Sequence, residues 1–174
     1  MHPRFPIECT CSHRAERFQL AFARRALDLV PRAEDTAYEA DARGLLVRAE
    51  TEPALERPVR VLREIFGDEL RVGPPTVRYH HDGETLEEPH MGVRVLCAPA
   101  HFRVVVADLE ARNAKVLDAE VNEQFGVVRA TAPLAALIGY PRRLAELTAE
   151  RARYTMWLSH YAPVAEPPPG GDAA

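Results

Sequence analysis

The sequence predicts an α+β protein built from two small sandwich units that share one order of elements, β-α-β-β-α-β. Three observations lead there. Apolar residues recur at helical spacing in two segments of each half, and short β-rich runs bounded by turn residues lie around them. A polar stretch, His81-Asp82-Gly83-Glu84, falls where one set of elements ends and the next begins. Two tandem ferredoxin-like (βαββαβ) domains have this order. The expected division is a first unit over 1–81, a joint over 82–88, a second unit over 89–162 and a disordered tail over 163–174.

In the first unit, Ile7 to Cys11 reads as a strand, and Ser12 is placed to cap a helix carrying Phe18, Phe22, Ala26 and Leu29, stopped by Pro31. Thr36 to Asp41 and Leu45 to Ala49 read as a hairpin, because Gly44 supplies the positive φ that a tight turn needs. Leu55, Val59, Leu62 and Phe66 form the second apolar stripe, ended by Gly67. Pro58 implies either a start near Arg57, with the proline in the first turn, or a kink. Val77 to His81 is expected to close the unit as a strand.

The second unit repeats the order. Met91 to Cys97 reads as a strand, and Pro99 opens a helix bearing Phe102, Val105, Val106 and Leu109. Val116 to Val121 and Val127 to Ala132 pair around Asn122 to Gly126. A helical pattern from Pro133 to about Glu150 is interrupted by Gly139 and Pro141, and Tyr154 to Tyr161 is the last strand. The tail, rich in Pro, Gly and Ala, has no apolar pattern to offset the entropy of ordering it, so it is expected to be flexible.

Composition narrows the function classes. The 174 residues are 47% hydrophobic and 28% charged, ordinary for a packed soluble protein, while 15 prolines are conspicuous. A net charge of −4 gives no global attraction to phosphate backbones and leaves only a local arginine patch to bind RNA. No apolar run reaches the ~20 residues of a membrane helix, and Met-His-Pro-Arg-Phe-Pro has no signal core. A cytoplasmic location with no membrane partner is expected. The three cysteines, Cys9, Cys11 and Cys97, are expected as thiols.

Val128-Arg129-Ala130, Pro133-Leu134-Ala135, Gly139-Tyr140, Leu144, Leu147-Thr148, Arg151, Tyr154-Thr155-Met156 and His160-Tyr161 stand at unchanged spacing. In this the chain resembles the last domain of translation elongation factor G. Phe66, Val72-Gly73, Pro75, Val77 and Tyr79 resemble the end of that factor's third domain, and Glu88-Pro89-His90-Met91 the entry to its fifth. The resemblance spans roughly residues 7 to 162 and implies ferredoxin-like folds for both units, third domain joined directly to fifth. No glycine-rich phosphate loop followed by Lys and Ser/Thr occurs, so neither GTP nor ATP binding is expected.

Some positions depart from the family. Arg112-Asn113-Ala114 stands where it commonly has Arg-Arg-Gly. Ala145-Glu146 replaces a basic then a small polar residue at an RNA-facing place, and Glu150-Arg151-Ala152 replaces Gly-Arg-Gly. A carboxylate facing a phosphate backbone is repulsive. In the first unit, Thr51-Glu52-Pro53-Ala54-Leu55-Glu56 stands for Gly-Glu-Leu-His-Leu-Glu.

No catalytic residues, cofactor or metal site are expected. Cys9, Cys11 and His13 would share a strand face and suit zinc by ligand type, but a structural site needs a fourth ligand that no finger-like spacing provides. His80 and His81 point to opposite faces of a strand. Arg142, Arg143, Arg151 and Arg153, with Tyr140 and Tyr154 beside them, compose the candidate patch for RNA or another partner, through cation contact and stacking. The alternative is a solvated helix end whose cations meet the helix dipole. A non-catalytic protein engaging the ribosome, through rRNA or ribosomal proteins, is therefore expected. The other reading is a protein–protein module that forms homo-oligomers through exposed sheet edges.

Overall fold

A computed structural model of the chain describes residues 3–164. Two five-stranded sheets form, each with helices on one face. The first contains β1 (Ile7–His13), β2 (Thr36–Asp41), β3 (Gly44–Ala49), β4 (Leu70–Val72) and the short β5 (Thr76–Val77). Its order is β2-β3-β1-β4, with β5 also on β1, and its helices are α1 (Gln19–Leu29) and α2 (Glu52–Phe66). The second contains β6 (His80–Asp82), β7 (Thr85–Cys97), β8 (Lys115–Val121), β9 (Gly126–Pro133) and β10 (Arg153–Pro163), ordered β10-β7-β9-β8 with β6 on β7. Helices α3 (Pro99–Ala111), α4 (Leu134–Leu137) and α5 (Tyr140–Thr148) cover it. Counted within each unit, both sheets run 4-1-3-2 and their strands pair antiparallel, the ferredoxin-like topology.

Alternation decides which side is buried. Ile7, Cys9 and Cys11 point inward from β1, as do Met91, Val93 and Val95 from β7 and Val128, Ala130 and Ala132 from β9. Phe22, Ala23 and Ala26 of α1 and Leu55, Val59 and Leu62 of α2 meet the first set, whereas Val105, Leu109, Tyr140 and Leu144 meet the second. At the β2–β3 turn Gly44 has φ +139°, and a Cβ there would lie 2.1 Å from the carbonyl oxygen of Cys11, so the close approach of β3 to β1 requires glycine.

Several expectations are corrected. Ser12 pairs with Arg71 inside β1 and caps nothing; α1 instead starts at Gln19, whose side chain accepts from the N–H of His13 (2.8 Å) and donates to its carbonyl (2.8 Å). Helix α2 begins five residues earlier than Arg57: Thr51 caps it by accepting from Ala54 N (3.4 Å), and Pro53 takes the first turn. Pro58 lies inside α2 on its buried stripe, where ring packing offsets the lost hydrogen bond. The first sheet is closed by Leu70–Val72, not by Val77–His81; His80 and His81 belong to the second sheet, opposite Glu87 and Leu86. Residues 82–88 form the β6–β7 hairpin, so β7 starts at Thr85. Pro163 ends β10 opposite Glu87, and Val164 donates to the carbonyl of Leu86 (2.9 Å); the tail expectation for 165–174 lies outside the described residues.

Candidate functional site

Helix α5 exists because Gly139 breaks the preceding turn. Its φ of +76° ends α4, Pro141 starts the new helix in its first turn, and Tyr140, Leu144 and Thr148 face the core. Arg142 and Arg143 are therefore held on the outer, exposed side. Arg143 is partly engaged, with Nε 3.4 Å from Asp108 Oδ1 and Nη1 3.4 Å from Glu146 Oε2. Arg142 lies with Ala145, Glu146, Ala149 and Glu150 along a shallow depression of about 430 Å³. Its two carboxylates weaken that surface as a seat for phosphate.

Arg151 is exposed in the connection to β10, its N–H bonded to the carbonyl of Thr148 (3.0 Å). The helix end is locked by Thr148, whose hydroxyl donates to Leu144 O (2.8 Å) and accepts from Ala152 N (3.2 Å). Arg142, Arg143 and Arg151 thus form one outward group on the helical side. Arg153 does not join them: it pairs in register with Leu96 on the opposite, open face of the sheet.

The aromatic members are also reassigned. Tyr140 is fully buried, so it offers no ring face to a base. Burial, chiefly, pushes its phenol far above the usual value, and its hydroxyl has no hydrogen-bond partner among the described residues. Arg112 lies over its ring at 5.3 Å, donates to Ala136 O (3.0 Å) and pairs with Asp108 (2.9 Å). This arginine, at a position of the Arg-Arg-Gly pattern, ties α3 to α4. Asn113 follows with φ +58°, taking the left-handed turn without glycine. Tyr154 packs half-buried against the core, its phenol raised first by burial and then by Glu52 and Glu56 of α2, so it faces the first unit.

The soft-ligand cluster resolves into packing. Cys9 and Cys11 are buried free thiols. His13 sits between the rings of Phe22 and Phe66, at 5.6 and 5.8 Å, and its Nδ1 accepts from Ala15 N (3.3 Å). No group of three or more His, Cys, Asp or Glu suited to a metal occurs among the described residues. No helix among them is long and apolar enough to cross a membrane.

Sequence reasoning missed Arg94, Arg129 and Trp157. The signal that could have found them is alternation: Tyr154, Met156 and Leu158 take the buried side of β10, which turns Trp157 outward with Arg153 and Thr155.

Comparison with known proteins agrees with this geometry. Residues 85–170 match the family described as elongation factor G C-terminus. The elongation factor G of Fervidobacterium nodosum is 40% identical over 81 residues, 47% of this chain and 12% of that protein. The chain thus spans about an eighth of that relative's length. A crystal structure of a Thermus thermophilus protein superposes with a TM-score of 0.64 at 17% identity, over 94% of this chain and 41% of the other, a likeness of fold. Residues 85–170 thus carry the pattern of the elongation factor G C-terminal family.

Proposed function

We propose that the chain is a non-catalytic, cytoplasmic component that binds the ribosome, through rRNA or ribosomal protein, with no nucleotide of its own. The observation that carries this reading is the 40% identity over 81 residues to an elongation factor, in a match confined to the C-terminal family. The first unit, through Val77, then acts as a third-domain-like partner of the fifth-domain-like second unit, which runs from His80 to Pro163. The helical-side group of Arg142, Arg143 and Arg151 is the contact proposed for this reading. Glu146 and Glu150 on the same surface make its mode differ from the family's.

The test is co-sedimentation of the tagged protein with ribosomes from its own cell extract at moderate salt. Recovery in the ribosomal pellet is expected, and recovery in the supernatant alone counts against the reading. A second reading, self-association, is favoured by exposed Leu117 (61%) and Val121 (51%) on the outermost strand β8, which offers a free edge to a second copy. Light scattering across a concentration series separates a dimer from a monomer.

A further inference from the structure

The open face of the second sheet carries side chains that the fold does not use. Residues directly opposite in an antiparallel pair point to the same side. Between β10 and β7 these are Arg153 with Leu96, Thr155 with Arg94 and Trp157 with Gly92; between β7 and β9, Arg94 with Arg129 and Gly92 with Thr131. Met91, Val93 and Val95 take the other side, under the helices. Arg94, Arg129, Arg153 and Trp157 therefore share one surface turned away from α3 and α5.

Two features set this surface apart. Arg94 and Arg129 stand directly opposite each other, a like-charge juxtaposition that costs stability. Neither they nor Arg153 makes an ion pair among the described residues. The first sheet treats its open face differently: Arg48 is held by Glu8 (3.1 Å) and Glu39 (2.9 Å), and Arg78 by Glu8 (3.2 Å). On the second sheet Lys115, opposite Thr131, adds a further cation, while on the outermost strand β8 Asp118 stands directly opposite Arg129, within no ion-pair distance of it, and Glu120 stands opposite Val127. Around Arg94 and Arg153 the β7–β10 part of the face carries cations, with Glu88 further along β7 beside His90 (3.9 Å), in a chain whose net charge is −4.

The other feature is aromatic. A Cβ added at Gly92 would lie 2.4 Å from Trp157 Cε2, 2.5 Å from Cζ2 and 2.7 Å from Nε1. The nearest atom is the ring-fusion carbon, which is met first only through the face of the indole. The ring thus lies against the glycine backbone, and it is 46% exposed. A flat, half-exposed ring flanked by unpaired arginines on a sheet is how single strands are held: phosphates meet the cations and a base stacks on the ring.

We propose that this face binds a single-stranded nucleic acid, with the backbone on Arg94, Arg129 and Arg153 and one base stacked on Trp157. The inference rests on the sheet face alone and stands whether or not the ribosome is the partner. Trp157 is the chain's only tryptophan, so its fluorescence reports directly on the site.

The experiment titrates the full chain with an unstructured 12-nucleotide RNA, the DNA strand of the same sequence, and an RNA duplex of that length. Fluorescence anisotropy of the labelled strand is followed alongside Trp157 emission, over a salt series. Saturable quenching by the RNA strand, the DNA strand or both is expected, with weaker binding of the duplex; which strand binds more tightly identifies the source. Replacing Arg94, Arg129 and Arg153 together by Ala should lower the slope of log affinity against log salt by about 2, at ~0.7 per lost phosphate contact. Trp157→Ala should weaken binding by about 5-fold to about 100-fold without changing that slope. Gly92→Ala, which displaces the indole and removes no charge, should act in the same direction as Trp157→Ala. Melting curves confirm that each variant is folded. Absence of quenching at low salt, equal binding of duplex and strand, or an unchanged slope in the triple variant overturns the proposal. So does quenching that follows protein concentration alone, which would give the face to a second copy.

Discussion

The carboxylate of Glu52, in the first turn of α2, accepts a 2.7 Å hydrogen bond from the backbone N–H of Gly139, at the break between α4 and α5. The bond links the two units across 87 residues of sequence. Burial pushes the Glu52 carboxyl up; the Gly139 N–H draws it back, Glu56 raises it further, and Arg142 and Arg112 lower it.

Glu52→Ala is expected to destabilise the protein by about 1–2 kcal/mol, since a half-buried donor loses a charged acceptor. Glu52→Gln keeps an acceptor and should cost less. Because the folded carboxyl titrates above its unfolded value of ~4.3, its contribution is fully present below that pH and is lost as pH rises through the folded value. Denaturant melts of both proteins between pH 4 and 7 should show the wild type losing stability relative to Glu52→Gln as pH rises. Identical profiles would remove Glu52 from the linkage.

His90, beside His160, gives the opposite sign. Their rings stack between β7 and β10 with centroids 5.1 Å apart and planes at 20°. Burial lowers the His90 imidazole, Glu88 at 3.9 Å partly raises it, and His160 lowers it again. A depressed folded value means stability present above the unfolded value of ~6.5 and lost as pH falls through the folded one. As pH falls from 7 to 5 the wild type should lose stability relative to His90→Gln. A wild type that gains stability relative to that variant over the same range would refute the assignment.

Replacing Arg142, Arg143 and Arg151 by Ala tests the helical-side group. All three are exposed, and Arg143 has only two long pairings, so stability should change by less than ~1 kcal/mol. If this group carries the ribosome contact, the salt dependence of co-sedimentation should lose about two to three units of slope, taking ~0.7 per contact for single strands and ~0.9 for a B-form duplex as bounds. An unchanged slope, with binding retained, moves the contact elsewhere on the chain.

Where local chemistry decides, the fold is legible in the sequence. The β2–β3 hairpin appears at its expected residues because Gly44 alone tolerates that turn, and α2 stops at Gly67, which takes φ +54°. The helix break falls at Gly139 and Pro141, the two residues whose backbone chemistry demands it. What is not legible depends on partners distant in sequence. Leu70–Val72 is a strand only because Cys11 to His13 pairs with it, and Thr85 to Glu88 is extended by β6 on one side and by β10 on the other. Pro89 is tolerated in β7 because pairing to β9 begins only at His90. The candidate patch fails at Tyr140 and Arg153 for a related reason. Neighbours in sequence need not be neighbours on a surface, and burial of Tyr140 and strand alternation at Arg153 separate both from the exposed arginines.

Glu150 offers the most direct test of how this chain departs from its family. It stands where the family often has the first Gly of Gly-Arg-Gly, and it holds φ +60° just after Ala149 at φ +48°. Non-glycine residues carry a penalty of roughly 1–2 kcal/mol in that conformation, because Cβ crowds the following carbonyl oxygen. The turn is nevertheless held by Glu150 N–H on Ala145 O (2.8 Å) and Arg151 N–H on Thr148 O (3.0 Å). Glu150→Gly should therefore stabilise the folded state, by up to about 1 kcal/mol once the larger entropy of the unfolded glycine chain is set against the relieved strain. Glu150→Ala removes the same charge but keeps the crowding, so it should give little or no gain. Both variants remove a carboxylate from the depression beside Arg142, so both should tighten any binding of phosphate by that surface. Denaturant midpoints and a ribosome co-sedimentation series read the two effects separately. Stabilisation by both substitutions would assign the cost to charge, and stabilisation by neither would show that the turn stores no strain.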